Sequence, residues 1–365
     1  EIIIKRQLKK KTWLMKSKSL SERILRLIKS KGFNNIELDP VLETKYILQR
    51  SGENFKRLLF SFYDLNGREL CLRPDLTISS VLRFVQSKLN KKQKVFYSGE
   101  AFRKTYQKQE SIIKNQIGFE ILGTKDKQKE DREIIDTSIK ILKSSGFKKA
   151  VLKIGNVELF NLLINKLDIP RRWKNRLKRY YWNESYFNEL LKRLETNEDI
   201  DPVFVEIDKS RYLKMRKFNS SKEVAGRTYK EILDRFDMKI KDPRRSSSGK
   251  INTTIIKEFL KIKCELKSAP YVLNKFFQKY ELNIFVGKEF FPLNKINNKN
   301  LKIEFSASDG RDVEFYSSMI FLIEIKKGKK FKNFISGGRY DELTSSLGFR
   351  KVSAAGAAVN MSVYE

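Results

Sequence analysis

The first third of the chain alternates between helical and strand-like hydrophobic patterns. Between residues 19 and 32, apolar side chains recur every three or four positions and the pattern stops at Gly32, which predicts one amphipathic helix. Short apolar runs bounded by turn residues then predict strands at 35–38, 58–63, 69–72, 94–97 and 116–122. Asn66-Gly67 separates the second and third of these runs and is a strong hairpin signal. This region is therefore predicted to form antiparallel hairpins with helices between them.

The middle of the chain has a mainly helical pattern. Helices are predicted at 131–145, 157–167, 171–181 and 186–194, and one strand at 151–154. The charged segment 209–250 is predicted to be a surface excursion and loop.

The last hundred residues return to a strand pattern. Strands are predicted at 302–307, 314–325, 331–336 and 352–359. A sheet that begins in the first third and is completed in the last third predicts an α+β fold, in which an antiparallel sheet flanked by helices carries a helical insertion. The expected divisions are 1–147, 148–300 and 301–365.

The chain is strongly basic. It has 77 lysines and arginines against 44 acidic residues, a formal net charge of +33. One interpretation is a nucleic-acid partner whose phosphates are neutralised by lysine. Because lysine is spread along the whole length, solvated faces are the better supported interpretation, and nucleic acid is not the expected partner.

Histidine is absent from the sequence. Its absence excludes Ser-His and Cys-His nucleophilic chemistry and most zinc hydrolases, so any chemistry must use arginine, carboxylates and backbone amides. Cys71 and Cys264 are far apart, which predicts neither a disulfide framework nor a metal site, and no cofactor is expected. No apolar run approaches the roughly 18 residues that a membrane span needs, so we expect a cytoplasmic protein.

The strand predicted at 116–122 has two chemically different faces. Strand periodicity places Gln116, Gly118 and Glu120 on one polar face, opposite an apolar face. The glycine would leave a gap in which a small ligand could lie against the backbone, with its amine or polar ring atoms held by the flanking groups. The alternative is an ordinary half-exposed strand.

Arg73, Asp75 and Thr77 are predicted to alternate onto one side of a strand that leads into an apolar helix. Asp75 could hold a substrate ammonium, and Thr77 could bond to the substrate or cap the helix. Arg103, which follows Phe102 at the start of a long polar loop, offers a planar fork that suits carboxylate or phosphate.

Two further motifs lie near the end of the chain. The run 336–343, Ser-Gly-Gly-Arg-Tyr-Asp-Glu-Leu, combines a glycine pair with an arginine and an aspartate two residues apart, and a tight turn with a local ion pair is its plain interpretation. The run 310–316 contains Arg311 and Tyr316 and leads into an aromatic strand, for which a pocket wall and a core strand are equally credible.

These motifs, in this order, resemble the histidyl-tRNA synthetase family and its non-synthetase relatives. That family has an "LRP[E/D]-x-T" strand, an "FR" strand, a "Q-x-G-x-E-x-x-G" return strand, an "R-G-L-x-Y-Y" motif and a "GGRYD" turn. The resemblance covers nearly the whole chain and implies a class II aminoacyl-tRNA synthetase-like catalytic domain.

Departures from the family pattern indicate which branch the chain resembles. Lys104-Thr105-Tyr106 follow Arg103 where the synthetases have a glutamate, and the run 355–363, similar to the third class II motif, contains no arginine. Aminoacyl transfer to ATP needs such arginines. No counterpart of the anticodon-binding domain is expected. The forms "RPDLT" at 73–77 and "GNVELF" at 155–160 instead resemble the regulatory subunits of ATP phosphoribosyltransferase.

This resemblance implies a non-catalytic subunit that assembles with a short-form catalytic subunit of ATP phosphoribosyltransferase, acts in the first step of histidine biosynthesis and takes part in histidine feedback. It also implies that a retained amino-acid pocket binds histidine as an effector, through Asp75, Thr77, Arg103, Gln116, Glu120, Arg311 and Tyr316. A homodimer inside a hetero-oligomer is expected on the same ground. Two alternatives remain, a divergent or truncated histidyl-tRNA synthetase and an RNA-binding paralogue.

Overall fold

The computed structural model describes residues 19–51, 53–87, 91–105, 111–123, 125–196, 210–214, 216, 228–234, 248–293, 300–309, 315–328 and 330–364. The chain divides into two compact units. Unit 1 comprises 1–158, 263–272 and 286–365, and unit 2 comprises 159–262 and 273–285. Much of the segment 209–250, predicted to be a surface excursion and loop, lies outside the described residues, as does the predicted site residue Arg311.

The first part of unit 1 alternates strands with helices. Its elements are α1 (19–30), β1 (Asn34–Asn35), β2 (Val41–Glu43), α2 (Thr44–Ser51), β3 (Ser61–Tyr63), β4 (Glu69–Leu72), α3 (Leu76–Gln86), β5 (Gln93–Phe102), β6 (Ile113–Leu122), α4 (Lys127–Ser144) and β7 (Ala150–Asn156). The hairpin predicted around Asn66-Gly67 is confirmed: β3 pairs antiparallel with β4, and Gly67 has a φ of 74°.

The three helices predicted between 157 and 194 are confirmed. The elements of the rest of the chain are α5 (Val157–Lys166), α6 (Arg171–Arg179), α7 (Glu184–Thr196), α8 (Gly249–Leu260), β8 (Lys263–Glu265), α9 (Ala269–Lys279), β9 (Leu301–Ser306), β10 (Met319–Lys327), β11 (Lys330–Arg339), α10 (Leu343–Ser346) and β12 (Ala354–Asn360). Residues 210–214 and 229–234 are also helical.

Nine strands of unit 1 form one sheet in the order β1-β5-β6-β12-β11-β10-β7-β9-β8. Neighbours run antiparallel except for β1 beside β5 and β7 beside β9, which are parallel. Three strands of the last third, β10 to β12, lie between β6 and β7 of the first part of the chain, so the sheet is built from both ends of the sequence. The predicted α+β fold is confirmed.

Unit 2 has an aromatic core and one unusually basic helix. The ring of Phe160 stacks on Tyr181 with centroids 3.8 Å apart, and Phe187 packs edge-on against both. Helix α6 buries only Trp173 and Leu177, and six of its other seven residues are lysine or arginine. Cationic side chains are therefore concentrated on this helix, although lysine overall is spread along the chain.

Two predicted strands are shorter in the structure. The strand predicted at 35–38 is reduced to Asn34–Asn35. The strand predicted at 314–325 begins only at Met319, because Ser317 turns to bond with the end of β11 through Arg339 and Asp341. Within the described ranges, no helix has the length and apolar character that crossing a bilayer requires.

Candidate ligand site around Glu120

Glu120 lies near the end of β6, and its carboxylate is the centre of a buried polar cluster. The residue is 1% exposed. Directly opposite on β12 is Gly356, where a Cβ atom would lie 1.3 Å from Glu120 Oε2. A side chain at position 356 is therefore incompatible with the carboxylate in this position, which explains why glycine interrupts the alanines of β12.

Tyr97 reaches the same carboxylate from β5. Antiparallel register pairs it with Gly118, and a Cβ atom on that glycine would lie 2.3 Å from Tyr97 Cε2. The phenol donates a hydrogen bond to Glu120 Oε1 at 2.5 Å. The prediction of an open gap over Gly118 is wrong, because the aromatic ring opposite fills the space that the missing side chain leaves.

Tyr340 approaches from the end of β11. Its hydroxyl donates to Glu120 Oε2, and its ring packs edge-on against Phe315 at a centroid distance of 5.4 Å. The Tyr316 ring lies over Gly338, where a Cβ atom would be 2.7 Å from it. The glycine pair of β11 thus allows the aromatic side chains beside Tyr340 to pack closely against the sheet.

The strand predicted to continue through Asp75 and Thr77 ends at Leu72 instead. Pro74 has no amide hydrogen for a ladder, and Asp75 Oδ1 accepts a hydrogen bond from the Ile78 amide at 2.9 Å, which caps α3. The predicted alternation along one side of a strand is therefore wrong, and the capping residue is the aspartate.

Thr77, in the first turn of α3, directs its hydroxyl into the cluster. It donates to Glu120 Oε1 at 3.3 Å and lies 3.4 Å from the Tyr97 hydroxyl. Burial is the main reason that the pKa of both Glu120 and Tyr97 is raised, and the charge of Asp75 adds to the shift. The structure therefore brings three of the predicted site residues, Asp75, Thr77 and Glu120, into one electrostatic neighbourhood.

Burial controls the ionisation of this cluster. Loss of solvent raises the pKa of Glu120 from 4.5 to about 7, although hydrogen bonds from Tyr340, Tyr97 and Thr77 oppose the shift. Burial likewise raises the pKa of the Tyr97 and Tyr340 phenols well above its usual value. Both phenols are therefore proton donors at neutral pH, where Glu120 is close to half ionised.

Of the remaining predicted site residues, Arg103 and Gln116 belong to the β5–β6 hairpin, and Arg311 lies outside the described residues. Arg103 follows β5, and its Nε donates to the Pro74 carbonyl at 2.7 Å. Gln116 is half-buried on β6, paired with Gly99 and Asn360. Arg73, by contrast, is a structural residue: its guanidinium donates to the carbonyls of Glu100 at 2.8 Å and Leu38 at 2.5 Å.

The arginine of the Gly-Gly-Arg-Tyr-Asp run is also structural. Arg339 is 1% exposed and donates to Asp131 Oδ1 at 2.8 Å, Asp341 Oδ1 at 2.9 Å and Ser353 Oγ at 2.8 Å. Its Nη2 also donates to the Lys127 carbonyl at 3.0 Å. The predicted local ion pair is confirmed, and it is part of a larger network that joins α4, β11 and β12.

The cluster is equipped to recognise a polar N–H group. A carboxylate offers roughly four lone-pair positions, and three hydroxyls occupy three of them, so one further donor can be accepted. Tyr97 and Tyr340 were not assigned this role from the sequence, although Tyr340 stands inside the Gly-Gly-Arg-Tyr-Asp run. Among the described residues, no three Cys, Asp or Glu side chains are grouped as a metal site would require.

Comparison with known proteins agrees with this fold. A family model described as histidyl-tRNA synthetase matches residues 12–235, more than half of the chain. The chain belongs to the histidyl-tRNA synthetase family. The crystal structure of histidyl-tRNA synthetase from Nostoc sp. PCC 7120 has a TM-score of 0.60 at 14% identity, covering 95% of this chain and 70% of that one.

Several curated relatives carry a different name. A protein of Sinorhizobium fredii called ATP phosphoribosyltransferase regulatory subunit is 24% identical over 333 residues, covering 86% of each chain. Its namesake from Brucella anthropi is 25% identical over 331 residues, covering 86% of this chain and 87% of that protein. A crystal structure described as ATP phosphoribosyltransferase regulatory subunit/histidyl-tRNA synthetase, from Bacillus halodurans, has a TM-score of 0.56 at 18% identity and covers 97% of this chain and 79% of that one. The predicted likeness to this branch is confirmed.

Proposed function

We propose that this chain is a cytoplasmic, non-catalytic regulatory subunit of ATP phosphoribosyltransferase. It would activate a short-form catalytic subunit in the first step of histidine biosynthesis, as a homodimer within a hetero-oligomer. The observation that carries the proposal is the likeness to proteins of that name over 86% of the chain.

The chemistry of the site supports a regulator over a synthetase. The buried cluster around Glu120 keeps groups that can hold an amino acid, whereas Arg339, the arginine of the Gly-Gly-Arg-Tyr-Asp run, is engaged by two aspartates of the fold. The run 355–363, which forms most of β12, contains no arginine. Stabilising a reacting triphosphate requires preorganised cations.

Reconstitution with the short-form catalytic subunit of the same organism tests the proposal. We expect the two chains to co-purify and phosphoribosyl transfer to ATP to rise at least tenfold when this chain is added. Histidine-dependent exchange of pyrophosphate into ATP by this chain alone would instead establish the divergent synthetase. No complex and no activation would contradict the proposed function.

We further propose that histidine binds at the Glu120 cluster as a feedback effector. Asp75 and Thr77 would face its amino group, Arg103 and Arg311 its carboxylate, and Gln116, Glu120 and Tyr316 its imidazole. The hydrogen bond between Thr77 and Glu120 supports a shared site, since it places two of these residues side by side. Feedback would then be a difference in histidine affinity between two states of the assembly.

Calorimetric titration of the complex with histidine tests this site. Glu120→Gln is expected to weaken histidine binding at least tenfold, because the amide presents one acceptor atom where the carboxylate presents two. Glu100→Gln, the same change at an exposed position of β5, is the matched control and is expected to leave binding unchanged. If both variants bind like the wild type, histidine binds elsewhere, while subunit activation remains intact.

One observation favours RNA binding as a second candidate function. Arg171, Lys174, Lys178 and Arg179 lie on α6, and no carboxylate of the described residues forms an ion pair with any of these four. Arginine and lysine on one helix suit a phosphate backbone. RNA retention that falls steeply with salt, and that the double variant Arg171→Gln/Arg179→Gln abolishes, would favour this candidate.

A further inference from the structure

A surface cleft in unit 1 lies outside the Glu120 cluster. It has a volume of about 470 Å³ and is bounded by the end of α1 and one side of α4. Its charged lining residues are Lys31, Lys129, Arg132, Glu133, Asp136 and Lys140. We call it the α1–α4 cleft. Its size lies within the roughly 300–1,000 Å³ of small-molecule sites.

The sequence of α4 places these charges together. Residues 129, 133, 136 and 140 recur every three or four positions, so they occupy one face of the helix. Lys31 reaches the same space from the end of α1, where Gly32 turns the chain with a φ of 80°. The two helices therefore bring these cationic groups around one cleft.

Positive charge predominates in the cleft. Four of its lining side chains are cationic and two are carboxylates. One of the carboxylates is already neutralised, since Glu133 forms an ion pair with Lys94. The fixed charge that remains favours an anion.

Two of the cationic groups face each other. Lys31 and Lys140 both line the cleft, and the nearby Lys140 is the main reason that the pKa of Lys31 is lowered. Neighbouring ammonium groups repel each other. An anion between them would replace that repulsion by two charge-assisted hydrogen bonds.

We propose that the α1–α4 cleft is a binding site for a small polyphosphate, either inorganic pyrophosphate or the phosphate chain of a nucleotide. Lys31 and Lys140 would hold one phosphoryl group, and Arg132 and Lys129 the next, since guanidinium and ammonium groups both suit phosphate oxygens. A concave site between two helices fits a compact ligand better than an extended RNA backbone, which needs a long basic surface. This site is independent of the proposed regulatory function.

Titration calorimetry in 0.15 M KCl tests the proposal, with inorganic pyrophosphate, ATP and a single-stranded RNA as separate ligands. We expect saturable binding of pyrophosphate that Arg132→Gln/Lys140→Gln weakens at least tenfold. The control Lys143→Gln/Lys332→Gln removes the same charge from exposed positions on α4 and β11 and is expected to bind like the wild type. Tighter binding of ATP than of pyrophosphate would identify a nucleotide as the ligand.

Three outcomes would overturn the proposal. Equal weakening in both double variants would mean that the net charge of the protein, and not the cleft, attracts the anion. If neither pyrophosphate nor ATP gives a saturable binding heat at least 10-fold above the salt-matched background, the cleft is a solvated surface. Binding of the RNA alone would assign the cations to a different class of ligand. Circular dichroism of each variant verifies that the fold is retained.

Discussion

Arg339→Ala is expected to lower the free energy of unfolding of unit 1 by about 3–5 kcal/mol, the usual cost of breaking a buried ion pair from one side. The guanidinium is buried and holds two carboxylates at 2.6 Å and 2.9 Å. Asp341 would keep its ion pair with Lys127. Asp131, whose pKa burial already raises, would lose the cation that offsets its loss of solvent.

Hydrogen exchange of β11 and β12 peptides in a urea series measures this effect within unit 1. Arg68→Ala is the matched control, since Arg68 forms an exposed ion pair with Asp64 and such pairs contribute about 0–1 kcal/mol. Adding Asp131→Asn to Arg339→Ala is expected to recover part of the loss, because it removes the uncompensated charge. Equal effects of Arg339→Ala and Arg68→Ala would contradict the role we assign to the buried network.

The sequence predicts the fold well because the spacing of its apolar residues differs clearly between helical and strand segments. Helices with three or four regularly spaced apolar residues, such as α4 and α5, are found where the pattern places them. The two parallel strand pairs could not be predicted in this way, since hydrophobic alternation gives the faces of a strand and not the direction of its neighbour. The aromatic residues Phe315 and Tyr316 before β10 give a strand-like composition, but the chain turns at Ser317, whose amide donates to the Arg339 carbonyl at the end of β11.

The candidate site could be predicted only in part, because the sequence does not reveal how β5 and β6 are paired. Glu120 follows from its place on a two-faced strand, but the contact with Tyr97 depends on which residue of β5 lies opposite Gly118. Residues 103–112 of the sequence separate β5 from β6, so no two-residue turn motif fixes that pairing in the sequence. A tyrosine opposite a strand glycine is the signal that would have found it, because such a glycine is commonly covered by an aromatic ring from the next strand.

The same register explains why a carboxylate can remain at the centre of the sheet. Gly118 and Gly356 leave the space that the Tyr97 ring and the Glu120 carboxylate occupy. Three hydroxyls then satisfy the buried oxygens. Because these bonds only partly offset the loss of solvent, the carboxyl group is held near its ionisation point, where a ligand that brings or removes a donor changes its charge most easily.

Glu120→Gln is expected to remove most of the pH dependence of unfolding between pH 5 and 8. Burial raises the pKa of Glu120 from 4.5 to about 7, so between these values the folded protein keeps a proton that the unfolded chain has released. The stabilising contribution is complete below pH 4.5 and is lost as the pH rises through about 7. At about 1.4 kcal/mol per unit of pKa, the loss amounts to roughly 3 kcal/mol.

Hydrogen exchange of β6 and β12 peptides across this pH range measures the difference between wild type and variant. The chain suits this measurement because it has no histidine, the side chain that most often titrates between pH 5 and 8. The amide at position 120 cannot ionise, so the variant does not lose this stability as the pH rises. Its free energy of unfolding therefore increases relative to that of the wild type by about 3 kcal/mol in all. Glu100→Gln is the control, since its exposed side chain should leave the wild-type slope unchanged. Parallel curves for wild type and Glu120→Gln would mean that Glu120 ionises in the folded protein as it does in water, and that the buried cluster does not act as a proton-linked site.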